Sequence, residues 1–306
     1  MKHSTSVLSN IATTALAPIA WGTTYIVATE FLPPGHPLLV AALRSLPVGL
    51  LLTIALRKLP RGIWWWRILV LGGLNIGVFQ ALLFVSAYRL PGGVASTAGA
   101  IQPVLVILFS WLILHEKPVK GAFPIALLGF VGIGLLVLEP TAQLDTVGIL
   151  AAIAGAATMG LGTVLVKRWG RPVSLLVFTA WQLTIGGLLL LPIALITEGP
   201  FEALTTTNLQ GLIYLGTVGT GLAYLLWFRG IDRLSASAAS YLGLLSPVMA
   251  TLLGFIWLEQ SLTLVQLCGV GIIFTSIMLG QKLTASPPTQ RSLARSLASH
   301  VKTCSM

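Results

Sequence analysis

Apolar runs of about twenty residues follow one another along almost the whole chain, parted only by short polar stretches. Ten can be drawn, at residues 9–29, 36–56, 66–88, 93–114, 119–138, 146–167, 174–196, 209–229, 236–258 and 263–281. A helix rises about 1.5 Å per residue, so each run can span the roughly 30 Å of hydrocarbon in a bilayer. Lipid offers no partner to a backbone N–H or C=O, which leaves helices and closed barrels as spanning structures. The runs lack the strict apolar-polar alternation of barrel strands. The pattern therefore predicts an all-α integral membrane protein with ten transmembrane helices.

The same pattern is written twice. Under a shift of 138 residues, Trp21-Gly22 meets Met159-Gly160, Arg44 meets Gln182 and Gly49 meets Gly187. From the third run a shift of 144 places Leu71-Gly72 on Leu215-Gly216, Gly77 on Gly221 and Arg89-Leu90 on Arg233-Leu234. The stretch GGVASTAGAIQPVLV from Gly92 falls on ASAASYLGLLSPVMA, with Ala95, Gly99 and Pro103 on Ala239, Gly243 and Pro247. Each half holds five runs, an odd number, so the second half is expected to enter the membrane from the opposite side. The expected organisation is a cytoplasmic N-terminus (1–8), a first five-helix repeat (9–138), an inverted second repeat (146–281) and a basic cytoplasmic tail (282–306). Inverted repeats place a substrate site near the midplane and permit alternating access.

Composition agrees with immersion in lipid: 56% of the 306 residues are hydrophobic, 8% are charged, and the mean hydropathy is +0.93. The net charge of +10 would suit nucleic acid only if the cations clustered. Instead, with both termini cytoplasmic, sixteen of the eighteen Lys and Arg residues fall on the cytoplasmic side, the positive-inside bias. Only Arg89 lies outside, and Arg44 falls within a run. No nucleic-acid partner is expected. Cys268 and Cys304 form neither a disulfide framework nor a metal-ligand spacing, and no cofactor or metal is implied. No HExxH, GxSxG or Walker loop marks an enzyme. The expected setting is the bacterial inner membrane, as a multi-pass monomer.

WLILHEK and GFIWLEQ close the fourth and ninth runs; with AWGTTY in the first, an arginine in the second and the Ala-Gly-Pro stripe, they carry a family resemblance. Over residues 10–281 the chain resembles the drug/metabolite transporter superfamily, EamA type. The resemblance implies ten-helix export of amino acids and other metabolites, a bacterial aromatic amino acid exporter being among the similar proteins. Export of other drugs, or of a phosphorylated sugar, is the alternative within that class. An intramembrane enzyme is the alternative outside it.

Polar groups at membrane depth need partners or a cavity. On that ground the candidate substrate-binding residues are Asn75, Gln80, Ser96, Thr97, Gln102, Thr163, Gln182 and Ser246, with Arg44 as the one mid-span charge. Arg44 either meets a substrate carboxylate, snorkels outward or reaches Glu30. Trp21, Tyr25, Phe79, Trp181, Tyr224 and Tyr241 are the aromatic candidates, suited to a planar apolar side chain. Trp227 reads instead as an interfacial anchor. Gly99, Pro103, Gly243 and Pro247 are candidate packing or hinge positions, each proline kinking its helix and freeing a carbonyl. All eight carboxylates and all four histidines fall at or beyond the run ends. A proton-coupled exchanger would need one within the membrane, so a downhill facilitator for neutral or zwitterionic metabolites is expected.

Overall fold

The computed structural model describes residues 2–90, 99–137, 145–201, 203–257 and 263–284, with no strand among them. Eight of its helices are long and apolar enough to cross a membrane, and two are shorter apolar helices. In chain order they are α1 (Val7–Phe31), α2 (Pro37–Leu56), α3 (Trp64–Arg89), α4 (Gln102–Leu114), α5 (Ala122–Leu136), α6 (Thr146–Trp169), α7 (Leu175–Thr197), α8 (Thr206–Arg233), α9 (Ala236–Trp257) and α10 (Leu264–Thr284). Their bounds follow the apolar runs closely. The exception is α4, because part of its run, with Ala95, Ser96 and Thr97, lies outside the described residues.

Carboxylates serve the helix ends. Asp145 Oδ1 accepts from Gly148 N at 2.6 Å and opens α6; the Glu198 carboxylate accepts from Leu38 N and Leu39 N, both at 2.9 Å, and opens α2. Each satisfies N–H groups that the first helical turn leaves without intrahelical partners. Large apolar side chains such as Leu51, Ile54, Ile196 and Leu264 stay exposed around the bundle. A soluble protein seldom carries such a continuous apolar exterior. Lipid requires it.

Helices equivalent in the two halves pack against each other in pairs. Helices α2 and α7 cross at Gly49 and Gly187: a methyl on Gly49 would lie 2.5 Å from Thr184 N, and one on Gly187 would lie 2.6 Å from Leu46 Cβ and 2.8 Å from Leu46 N. Glycine is needed here because backbone lies opposite. Helices gain little from hydrophobicity when they pair in lipid, so close approach through small residues matters more. The second such pair is α5 with α10, where Gly132 and Gly269 face each other's carbonyls and Ser276 Oγ donates to Ile125 O at 2.7 Å. The glycines of GFVGIG are thus packing surfaces.

Two further irregularities recur in register. Helix α3 passes through a π-helical turn at Gly73–Val78, and α8 through another at Thr217–Leu222, an offset of 144. Such wide turns loosen the regular ladder and are frequent at functional sites. Chain direction also shifts just before each conserved-register proline. Pro103 stands in the first turn of the 102–114 helix, after the turn residues Ala100 and Ile101. Pro247 stands after the turn at Gly243 and Leu244, and Gly243 O accepts from Ser246 N at 3.1 Å. In place of a kink at each proline there is a short break just ahead of it, with the proline in the first turn of the next segment.

Candidate functional site

The π turns matter because of what takes their carbonyls. Arg44 is 2% exposed; its Nη2 donates to Gly219 O and its Nε to Thr220 Oγ1, both at 2.7 Å. Asn75 occupies the position equivalent to Gly219, and Asn75 O accepts from the Tyr224 hydroxyl at 2.9 Å. Equivalent carbonyls are thus each held by a side chain from the other half. The side chains follow the same rule: Asn75 Nδ2 donates to Gln182 Oε1 at 2.8 Å, the twin of the Gly219–Arg44 contact. A methyl on Gly162 would collide with the Asn75 amide, so glycine there gives that amide its room.

Beside this clasp lies a partly enclosed cavity lined from both halves. It offers about 130 Å³ to the centres of water molecules, far above the roughly 10–15 Å³ that a single water needs. Helix α1 contributes Trp21, Thr24 and Tyr25, α2 contributes Arg44, and α3 contributes Phe79, Gln80, Leu83, Phe84 and Ser86. Gly99, Gln102 and Pro103 close one side; the second half supplies Gly155, Met159, Tyr224, Ser240, Gly243, Ser246 and Pro247. Trp21 joins the halves, its ring 5.2 Å from that of Tyr224 and 5.1 Å from that of Trp227. Arg44 sits 5.8 Å from the Phe84 ring centre, within cation–π range.

Several polar groups on this wall have no hydrogen-bond partner among the described residues. Gln80 is 1% exposed, and neither its amide oxygen nor its nitrogen is hydrogen-bonded, although the Tyr224 hydroxyl lies beside it. Thr24 Oγ1, Ser86 Oγ and Gln102 Nε2 are likewise buried and unpaired. An unpaired buried amide or hydroxyl costs about 1–3 kcal/mol. Four such side chains, Gln80, Thr24, Ser86 and Gln102, belong to the residues that line the cavity. The described lining includes no Asp, Glu or His.

Of the residues expected from sequence, the structure brings Trp21, Tyr25, Arg44, Phe79, Gln80, Gln102, Tyr224 and Ser246 to the cavity wall, with Gly99, Pro103, Gly243 and Pro247. Ser96 and Thr97 lie outside the described residues. Five others are placed elsewhere. Asn75 and Gln182 turn to each other in the interior. Thr163 is fully buried in α6, off the wall. Trp181 Nε1 donates to Lys58 O at 2.6 Å, and the Tyr241 hydroxyl donates to Ala122 O at 2.7 Å, so both rings pack in helix interfaces. Two subsidiary readings need correction. Trp227 is fully buried against Trp21 and anchors no interface. A methyl on Gly99 would meet nothing within 4 Å among the described residues, so no close packing at Gly99 is seen there. Of the alternatives for Arg44, snorkelling outward and reaching Glu30 are not what the structure shows: Glu30 is exposed, and Arg44 turns inward to α8.

Thr24, Leu83, Phe84, Ser86, Gly155, Met159 and Ser240 are among the wall residues beyond the sequence-based candidates. Met159 could have been found, as it is the repeat partner of Trp21 and takes the matching position. Thr24 was visible in sequence only as part of AWGTTY and Ser86 carried no signal, because hydroxyls in a span commonly bond back to their own helix.

The EamA-like transporter family model matches residues 8–138 and again 146–280. The chain belongs to the EamA-like transporter family. Its membership makes it a multi-pass membrane transporter, and neither the family nor the relatives' names indicate an enzyme. It is 46% identical to Protein PecM of Dickeya dadantii over 270 residues, covering 88% of this chain and 91% of that one. It is 32% identical to the uncharacterized transporter YvbV of Bacillus subtilis, covering 87% and 89% of the two chains. A WAT1-related chloroplastic protein of Arabidopsis thaliana is 29% identical, covering 85% of this chain and 66% of that protein. A solved crystal structure at 20% identity shares the fold with a TM-score of 0.75, covering 90% of this chain and 99% of that one.

Proposed function

We propose that this EamA-family transporter exports small metabolites with an apolar or aromatic body, amino acids foremost, by alternating access of one central cavity. The observation that carries the reading is Gln80, almost fully buried, with both amide atoms unpaired on a wall shared by the two halves. Trp21, Tyr25 and Phe79 supply flat apolar area for the body of the cargo, and Arg44 with the unpaired amides supplies polar contacts for its head.

All ten helices cross the bilayer in this reading, and the halves are inverted. The reciprocal glycine crossing of α2 and α7, the π turns offset by 144 and the double family match support it. Two units with equivalent contacts can exchange conformations, which is the requirement for alternating access. The cavity is enclosed by one chain, so a monomer in the bacterial inner membrane suffices, with both termini cytoplasmic. The alternatives are export of other drugs or metabolites, or of a phosphorylated sugar. The latter fits less well, because Arg44 is the one Lys or Arg on the described wall and phosphate recognition favours several cationic donors.

Transport is downhill in this account, since no described wall residue exchanges a proton near neutral pH. Liposomes holding the purified protein are expected to show saturable flux of labelled amino acids at equal pH on both sides, competed by members of an unlabelled metabolite panel. Imposing a pH gradient should leave the initial rate unchanged. Flux that appeared only with such a gradient would contradict the facilitator reading.

A further inference from the structure

The charge of the site does not balance. Arg44 is buried in the cavity wall, and its recorded hydrogen bonds go to a backbone carbonyl and a hydroxyl, both neutral. The ion pairs among the described residues are Arg89–Asp145 and Arg171–Asp232, and neither includes Arg44. No acid lines the described wall, and the adjoining stretch 91–98 contains none in its sequence. A buried charge without a counter-ion is costly and favours the arrival of one. An ammonium group entering the same space meets no carboxylate.

Resting on the transport-site reading above but departing from its amino acid cargo, we propose that the preferred cargo is a net monoanion, a carboxylate on an apolar or aromatic body, and that Arg44 is its counter-ion. A zwitterion leaves the loaded site at one positive charge, whereas a monoanion neutralises it. A neutral loaded site passes through the low-dielectric centre of the membrane at less cost. The carboxylate draws Nη2 from Gly219 O, so loading also loosens the tie between Arg44 and the π turn of α8. The unpaired Gln80 amide and Thr24 hydroxyl supply further donors to the anion.

The inference supplies a driving force that needs no titrating group. Each cycle that carries one monoanion moves one negative charge, and the membrane potential contributes about 2.3 kcal/mol per 100 mV, a roughly 50-fold concentration ratio. An inside-negative potential pushes such a cargo outward. Proton chemistry, for which the described wall has no residue, is then unnecessary.

Three compounds with one benzyl body separate the possibilities: 3-phenylpropionate (net −1), phenylalanine (zwitterion) and phenylalanine amide (net +1). In proteoliposomes corrected against protein-free vesicles, 3-phenylpropionate should compete best and the amide worst. Its efflux should rise with an inside-negative potassium–valinomycin potential. Arg44→Gln should lose the preference by roughly 30-fold or more, since it leaves an anion unpaired in a buried site, and Arg44→Lys should keep the sign of the preference. Melting of each variant in detergent reports whether it folds, and the wild-type competition series stands without any variant. Equal competition by phenylalanine and 3-phenylpropionate, or efflux indifferent to the potential, would overturn the monoanion inference while leaving the transport site in place. Absence of saturable flux or competition by every compound would remove the transport-site reading and this inference together.

Discussion

Gly187→Ala is expected to lose most of the folded protein. Its new methyl would stand 2.6 Å from Leu46 Cβ and 2.8 Å from Leu46 N, and the backbone of a neighbouring helix cannot step aside as a flexible side chain can. Overpacking costs about 1–3 kcal/mol where side chains can adjust; here the cost should lie at the upper end or beyond. Gly49→Ala meets Thr184 N at 2.5 Å and should behave alike, because it is the same crossing seen from the other helix. Gly271→Ala is the control, since its methyl would meet nothing within 4 Å. Thermal melting in detergent, followed by size-exclusion fluorescence, should show the first two variants markedly destabilised and the third unchanged. Tolerance of both Gly187→Ala and Gly49→Ala would show that the halves do not meet as described.

Gln80→Leu should act in the opposite sense, removing transport and sparing the fold. The native amide lies beside the Tyr224 hydroxyl but makes no well-formed hydrogen bond among the described residues, so leucine should change melting little. A bond from this amide to a charged cargo group is worth about 1.5–3 kcal/mol. The rate at low substrate concentration should therefore fall by roughly 10- to 100-fold. A structural glutamine would give the reverse result, lower stability with flux retained. The two readouts together thus assign the residue.

Much of the fold could be read in the chain because its main constraint is length: a span needs about 20 apolar residues, and the runs declare their own bounds. The repeat was equally legible at Gly49 and Gly187, where only glycine fits and the match is residue for residue. The π turns were not. LGGLNIG and LGTVGTG announce small residues, yet no spacing distinguishes a wide turn from a helix packed through glycine. For the candidate site, sequence singled out polar residues at membrane depth but could not tell which would satisfy one another. Asn75 and Gln182 did so, whereas Gln80 and Gln102 reached the cavity. Aromatic residues were less informative still. Trp181 and Tyr241 each spend their polar tip on a carbonyl in a helix interface, and Trp227, read as a membrane anchor, is buried in the core against Trp21. A ring with one donor suits any of these settings.

The central claim is that two related five-helix units lie inverted in the bilayer around one shared cavity. Arg89 and Arg233 are equivalent in the repeat, both are exposed, and each ends its helix. With Cys268 and Cys304 first changed to Ser, single cysteines at these two positions can be probed by a membrane-impermeant maleimide in cells and in inverted vesicles. The account predicts that Arg89→Cys is labelled from outside and Arg233→Cys from the cytoplasm. Labelling of both from the same side would contradict it.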